Sequence, residues 1–187
     1  RASRSSPGGD LTGGPGRRDP GGMARDCMRA HSGIWRFSGE DLDNIKLRSR
    51  TTLADTGTTI LLFGQYADAL PVFQGEVLVN LSSSGRIISV GNEVFPQLLV
   101  ASRFALSPGQ AVSAAANALN LPYAAIQTID TPVLRTYGTL TPEYDTLPTF
   151  SGGGVFSADI PVRSVVFPLG AVGRYAYEFT LVTPQYQ

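Results

Sequence analysis

The stretch that most constrains the fold is residues 59–90, where apolar residues recur with the spacing of β-strands. Its first part, TILLFGQY, carries apolar side chains on both faces of an extended chain, which is typical of a strand buried on both sides. After a turn at residues 67–71, the segment EVLVNL places Val77, Val79 and Leu81 on one apolar face. The SSSG sequence at 82–85 predicts a tight turn in which Gly85 takes a positive φ. Residues 86–90 then return as a third strand, so the stretch predicts an antiparallel meander.

One helix is clearly indicated downstream of this meander. Ser107 is a predicted N-cap, Pro108 occupies the first helical position, and Gln110 completes a capping box. Asn120 can take the left-handed position at the end of the helix, and a proline follows. The helix carries a predicted apolar stripe of Ala111, Val112, Ala115, Ala118 and Leu119. We expect this helix to cover one face of the meander.

The last part of the chain predicts a β-hairpin. Residues 163–167 form one strand, residues 168–173 the turn, and residues 174–182 the return strand. Tyr175, Tyr177, Phe179 and Leu181 alternate along the return strand, so they share one face. Between helix and hairpin, residues 123–159 are punctuated by proline and glycine, which predicts short strands and exposed loop. The SGGG sequence at 151–154 lacks the Lys-Ser/Thr of a phosphate-binding loop, so we expect a flexible hinge.

The N-terminal part divides into a tail and a short helix. Residues 1–22 are rich in Gly, Pro, Ser and Arg, so we expect a disordered linker or tail. A basic arm is the alternative, but the arginines are scattered between glycines. Met23, Cys27, Ala30 and Ile34 recur at helical spacing and predict a short amphipathic helix. The following SGED sequence, which begins at Ser38, has the form of a capping box.

Together these segments predict an α+β fold with an antiparallel meander, one main covering helix, a C-terminal β-hairpin and a short N-terminal helix. The predicted division is a disordered tail at 1–22, the N-terminal helix plus meander at 23–104, and the second helix, further strands and closing hairpin at 105–187. With 187 residues and 42% hydrophobic composition, the chain can bury a core of ordinary size.

Composition excludes several classes of function. The formal net charge is zero, so nothing electrostatic favours nucleic acid or an anionic membrane as a partner. No apolar run approaches the roughly 18–20 residues that span a bilayer. A single cysteine, Cys27, excludes an internal disulfide. The chain begins with arginine and shows no secretion signal, so we expect a fragment or a processed chain.

The sequence predicts no catalytic residue, no cofactor and no metal site. Cys27 and His31 lie four residues apart on one predicted helix face, but two ligands do not make a zinc site. The chain has a single histidine, so it lacks the H-E-x-x-H motif of zinc peptidases, and it has no G-x-S-x-G elbow.

Two carboxylate pairs are candidates for acid–base chemistry. Asp41 and Asp43 lie beside the capping box, and Glu143 and Asp145 lie beside turn signals. We therefore assign both pairs structural roles.

Three separated motifs resemble the propeptides of fungalysin-type and thermolysin-type zinc metallopeptidases. QYADALPVFQGEV followed by SGRIISV resembles the family's QxxxGIPVFGGE and DGRVVSV patterns, with Ala69 and Gln74 at positions where the family usually or often has Gly. ARDCMRAH followed by SGEDLDN resembles the ARxFLRAH and SAEDLDNL lead-in of the fungalysin side, with Cys27 replacing an aromatic. VVFPLG followed by YAYEFTL resembles the family's closing VYFPLG and RLAWEVTL hairpin. The resemblance covers roughly residues 24–181.

This resemblance implies a propeptide that precedes a secreted, extracellular zinc metallopeptidase. Such a domain is not itself catalytic; it helps the peptidase to fold and covers the active-site cleft until cleavage. The implied partner is the cognate catalytic domain, along whose cleft an edge strand of the propeptide would add main-chain hydrogen bonds. The alternative is a free-standing extracellular adhesion or scaffold module with the same fold. An H-E-x-x-H motif after Gln187 in the full gene would support the first reading.

Overall fold

The computed structural model describes residues 2–5, 19–101, 103–125, 127–134 and 144–184. The helices of this part are α1 (Pro20–Ala30), α2 (Ser32–Trp35), α3 (Gly39–Asp43) and α4 (Pro108–Ala118). The strands are β1 (Ala2–Ser5), β2 (Ile45–Thr52), β3 (Thr59–Ala67), β4 (Leu70–Leu81), β5 (Ile87–Asn92), β6 (Leu99–Val100), β7 (Gln127–Leu134), β8 (Tyr144–Phe150), β9 (Ile160–Pro161), β10 (Arg163–Leu169) and β11 (Val172–Glu178). This arrangement is the predicted α+β class.

The predicted meander is present as the antiparallel strands β2 to β5. Phe63 of β3 lies opposite Leu47 of β2 and Val77 of β4, so three apolar side chains meet in one row across the sheet. The prediction that β3 is buried on both faces is wrong. Leu61 and Phe63 are fully buried, whereas Ile60 and Leu62 are only partly buried because they lie on the other face of the sheet.

The apolar face of the meander is covered by the N-terminal helices. Ala24, Cys27 and Met28 of α1 join Trp35 and Phe37 in one core cluster with the buried residues of β2 to β5. Trp35 and Phe37 are thus packing residues. The expectation that the helix beginning at Pro108 would cover the meander is wrong, since the residues that this helix buries belong to another cluster.

The second core lies between α4 and the C-terminal strands. Val112 and Ala116 of α4 pack with residues that include Tyr123, Phe150 and Ile160. The capping box of Ser107 and Gln110 is present as predicted, but the apolar stripe is not. Its most apolar member, Leu119, is exposed at the end of the helix, because the buried face is centred on Val112 and Ala116.

The C-terminal hairpin is present with a shorter turn than predicted. Leu169 pairs with Val172, so Gly170 and Ala171 alone connect β10 to β11, and the predicted turn at 168–173 is too long. Tyr177 packs on the second core with Phe179 and Leu181, as the alternation indicated. The hairpin joins the meander through a parallel pairing between Val166 and Val72.

The N-terminal segment departs from the predicted disordered tail at two places. Ala2–Ser5 forms β1, which pairs with β5. Helix α1 begins at Pro20, three residues before the predicted start, because the Asp19 side chain accepts a hydrogen bond from the Gly22 amide and caps the first turn. The helix also ends at Ala30 rather than continuing to Ile34. Residues 6–18 lie outside the described part.

The SGGG sequence forms a packed turn rather than the expected hinge. The amides of Val155 and Phe156 both donate to the Gly152 carbonyl. A Cβ at Gly152 would lie 2.5 Å from the Phe156 carbonyl oxygen, so glycine is required there by close backbone approach.

Candidate functional site

The Cys27 and His31 pair lies at the end of α1 and has a structural role. His31 Nδ1 lies 2.9 Å from the Cys27 carbonyl oxygen and 3.7 Å from Cys27 Sγ. The ring nitrogen therefore binds a backbone carbonyl at the end of the helix. Among the described residues, no group of three or more His, Cys, Asp or Glu side chains is placed to hold a metal ion.

Asp41 serves two structural hydrogen-bonding roles. One carboxylate oxygen accepts from the Ser38 amide at 2.7 Å and the Ser38 hydroxyl at 2.8 Å, which completes the capping box of α3. The other accepts from the Gln97 amide at 2.9 Å, far along the chain. Asp41 thus caps α3 and joins this helix to the segment that contains Gln97. The second carboxylate pair, Glu143 and Asp145, lies outside the residues whose side chains are described.

Gln65, the first residue of the QYADALPVFQGEV motif, binds a loop that is distant along the chain. Its side-chain nitrogen donates to the Phe95 carbonyl at 2.8 Å, and its side-chain oxygen accepts from the Phe95 amide at 2.9 Å. Gly75, also in the motif, lies against this amide, since a Cβ there would come within 3.0 Å of the Gln65 oxygen. Sequence reasoning identified the motif but missed this role, because the partners are 30 residues apart.

Two further contacts hold the connection between β5 and β6, which we call the 93–98 loop. The Asn92 side chain accepts from the Val94 amide at 3.0 Å, and the Glu93 amide donates to the Glu76 carbonyl at 2.8 Å. With the Gln65 and Asp41 contacts, these bonds fix the loop at several points. The loop therefore delivers β6 to a defined position beside the hairpin.

Strand β6 is an open edge of the sheet. It pairs in parallel with β11, with the Leu99 amide donating to the Ala171 carbonyl at 3.0 Å and the Ala101 amide to the Gly173 carbonyl at 3.2 Å. Within the described part of the chain no strand pairs with its other side. Both residues of β6 also line a groove, together with residues that include Asp41 and Asp68. Strand β6 has two residues, so this edge offers a short segment for strand addition.

Another edge strand of the sheet, β2, is blunted. Lys46, Arg48 and Arg50 lie along it, and its pairing register shifts between Leu47 and Ser49. Charged side chains and a bulge are the usual protection against pairing with another strand. Of these two edges, β6 is therefore the better candidate for pairing with an extended segment of a partner protein.

A stack of three aromatic rings ties the hairpin to the rest of the protein. Phe104 stacks on Tyr175 and Tyr177, with ring centroids 4.9 and 4.5 Å apart. The Tyr175 hydroxyl donates to Asp68 Oδ2 at 2.9 Å, and this hydrogen bond raises the pKa of Tyr175. The Tyr177 hydroxyl donates to the Leu106 carbonyl at 2.9 Å, and burial raises its pKa.

The comparisons with known proteins place a family motif on the meander. The family model named Fungalysin/Thermolysin Propeptide Motif matches residues 43–94, which span β2 to β5 and reach the start of the 93–98 loop. No curated protein gives a significant match to the chain. Residues 43–94 therefore carry a motif of metallopeptidase propeptides, as the sequence resemblance predicted.

One solved structure similar to the chain is that of the Bacillus megaterium YpeB C-terminal domain. The identity is 12%, the match covers 86% of this chain and 63% of that chain, and the TM-score is 0.34. The chain thus spans less than two thirds of the length of that solved chain. No helix among the described residues is long and apolar enough to cross a membrane.

Proposed function

We propose that the chain is the non-catalytic propeptide of a secreted zinc metallopeptidase, where it assists folding of the catalytic domain and inhibits its active site. The observation that carries this proposal is the propeptide motif at residues 43–94. In the structure, its residues Gln65 and Gly75 build the meander and hold the 93–98 loop.

The physical basis of inhibition is tethering together with an open strand edge. A propeptide joined to its peptidase acts at an effective concentration that raises apparent affinity by about 10²–10⁴ over the separated domains. The open edge of β6 can pair with an extended segment of the partner through main-chain hydrogen bonds. Neither effect needs a catalytic group in the chain itself.

The first test is to sequence the full gene. We expect it to encode a peptidase domain with the H-E-x-x-H motif, whose two histidines bind zinc and whose glutamate is the general base. A gene without such a domain would favour the free-standing extracellular module. The chain alone should bind no stoichiometric zinc, and metal analysis that finds one tightly bound zinc per chain would contradict the proposal.

The second test uses the encoded catalytic domain directly. The catalytic domain is refolded from denaturant under three conditions: with the chain tethered, with the chain added separately, and without the chain. The measurements are the recovered peptidase activity, the binding of the chain to the refolded domain, and the inhibition of peptide hydrolysis. The chain should raise the yield of folded peptidase and inhibit it, more weakly when added separately. If the chain neither binds at micromolar concentration nor changes the refolding yield, the propeptide function is wrong.

A further inference from the structure

Five apolar side chains lie together at the tip of the C-terminal hairpin. The pairing of Leu169 with Val172, and of Val172 with Leu99, puts these three on one face. Phe167 lies two residues before Leu169 on the same face, and its ring stacks on Phe73 with the centroids 5.5 Å apart. Arg174 pairs with Phe167 and lies beside these five residues. We call the six residues together the hairpin face: Phe73, Leu99, Phe167, Leu169, Val172 and Arg174.

The hairpin face is unusually open for apolar side chains. The exposed fraction is 70% for Leu99, 53% for Leu169, 41% for Phe167 and 38% for Val172. Single exposed apolar residues are normal, but a contiguous group marks an interaction site. Within the described part of the chain, no element covers these side chains.

Arg174 is the charged residue of the hairpin face. Arg174 is exposed, and no carboxylate of the described residues lies within ion-pair distance of it. Glu178, on the same face of the hairpin, already pairs with Arg163 at 3.8 Å. An arginine that becomes buried at an interface needs a carboxylate partner to offset its desolvation. The occupant of this face should therefore supply that carboxylate.

We propose that the hairpin face docks on the catalytic domain of the metallopeptidase, at an apolar surface that places a carboxylate against Arg174. This inference rests on the proposed function and identifies the surface that performs it. A second copy of the chain would have to place one of its own carboxylates against Arg174, and Glu178, on the same face of the hairpin, is already paired with Arg163. The open edge of β6 adjoins the face, so docking also presents that edge to the partner.

The face is organised before any partner binds. The contacts of Gln65 and Asp41 fix the 93–98 loop, which places Leu99 beside Val172. At Gly173, an added Cβ would lie 2.5 Å from Val166, so the hairpin packs closely on its inner side. A rigid face loses less conformational entropy on binding, which favours affinity.

The experiment measures binding of the chain to the catalytic domain encoded with it, by calorimetry. The variants are Leu169→Asp and Arg174→Glu. The matched controls are Leu119→Asp, at a leucine 57% exposed beyond the end of α4, and Arg25→Glu, at an exposed arginine of α1. Each hairpin-face variant should weaken binding about tenfold or more, as loss of an interface anchor does, whereas each control should stay within about twofold. All four should keep the melting temperature, since the altered side chains are exposed.

Each contrary outcome is distinct. If the unchanged chain binds and the hairpin-face variants bind like the controls, this inference is wrong while the proposed function stands. If the unchanged chain does not bind, the proposed function fails and this inference fails with it. Sedimentation that shows a dimer abolished by Leu169→Asp would assign the face to a second copy instead. Binding to vesicles of anionic lipid that is lost in the same variants would assign it to a membrane surface.

Discussion

The Gln65 side chain and the Phe95 backbone form a two-point hydrogen-bonded pair that joins β3 to the 93–98 loop. Both bonds are short, at 2.8 and 2.9 Å, and the Gln65 side chain is buried. The Gln65 amide thus satisfies both backbone polar groups of Phe95, in a segment without regular secondary structure. The position of β6, and with it the open edge of the sheet, depends on this contact.

We expect Gln65→Leu to lower the free energy of unfolding by about 2 kcal/mol or more. The leucine keeps the apolar packing but leaves the Phe95 amide and carbonyl without their partner, and each such loss costs about 1–3 kcal/mol. Urea unfolding measures the change. The matched control is Asn80→Leu, which removes one side-chain bond to Ser89 on a partly exposed face and leaves no backbone group unpaired. Equal losses in both variants would show that the Phe95 contact contributes no special stability.

The sequence predicted the meander and the hairpin because their signals are local. Alternation at Val77, Val79 and Leu81, and the turn glycine Gly85, depend only on neighbours in the chain. The choice of covering helix is not local. The helix starting at Pro108 and the helix containing Cys27 both carry apolar faces, and nothing in either pattern states which sheet the helix packs on. The prediction therefore chose the more strongly capped helix, and the structure places the other one on the meander.

The hairpin face was missed for a related reason. The prediction assigned residues 168–173 to the turn, so Leu169 and Val172 were not counted as strand residues. In the structure β10 extends to Leu169 and β11 begins at Val172, and the pairing of these two residues brings their side chains onto one face. Leu99 joins them through a parallel pairing that the chain reaches only after the 93–98 loop. A contact of this kind cannot be read from alternation within one strand.

Two departures from the propeptide motif fall at residues with a left-handed backbone. Ala69 has φ 63° and Gln74 has φ 57°, at positions where the family usually or often has glycine. We expect Ala69→Gly and Gln74→Gly each to raise the free energy of unfolding by about 0.5–1 kcal/mol, because glycine relieves the steric cost of positive φ. Thermal unfolding measures both. Ala67→Gly, at the end of β3 and without a positive φ, is the control and should lower stability by about 0.5–1 kcal/mol. A loss in all three variants would contradict the strain argument.

Gly85 is the converse case, a glycine whose replacement should be costly. Its φ of 81° confirms the positive value predicted for the turn between β4 and β5. Gly85→Val should destabilise the protein by about 1–3 kcal/mol, since a β-branched side chain is strained in this region. Ser84→Val, at the preceding residue without a positive φ, should change stability much less. Unchanged melting temperatures for both variants would mean that the turn readily adopts another conformation.

The cap of α1 makes the N-terminal boundary testable. Deletion of residues 1–22 removes Asp19 and the first turn of the helix, whereas deletion of residues 1–18 leaves both in place. We expect the longer deletion to cost at least about 1 kcal/mol more than the shorter one, because the lost N-cap alone contributes about 0.5–2 kcal/mol. Urea unfolding of the two truncated chains gives the difference. Equal stabilities would show that the Asp19 cap and the first turn of α1 do not contribute to stability.

The tyrosine stack predicts a loss of stability in alkaline solution. The pKa of Tyr177 is raised by burial, and that of Tyr175 by its hydrogen bond to Asp68, so the folded state favours the neutral phenols. A tyrosine whose pKa in the folded state lies above its unfolded value of about 10 contributes its full stabilisation below about pH 10. This contribution is lost as the pH rises through the folded pKa. Urea unfolding between pH 8 and 11 should therefore show falling stability at the alkaline end.

Tyr177→Phe isolates the contribution of one phenol. The variant loses the hydrogen bond to the Leu106 carbonyl, so it should be about 1 kcal/mol less stable at pH 8. Its stability should then fall less steeply towards pH 11, because the replaced ring cannot ionise. Phe104→Leu weakens the same stack without removing a titrating group, so its curve should lie below that of the unchanged chain and run parallel to it. If the Tyr177→Phe curve is also parallel, the ionisation of Tyr177 does not contribute to alkaline unfolding.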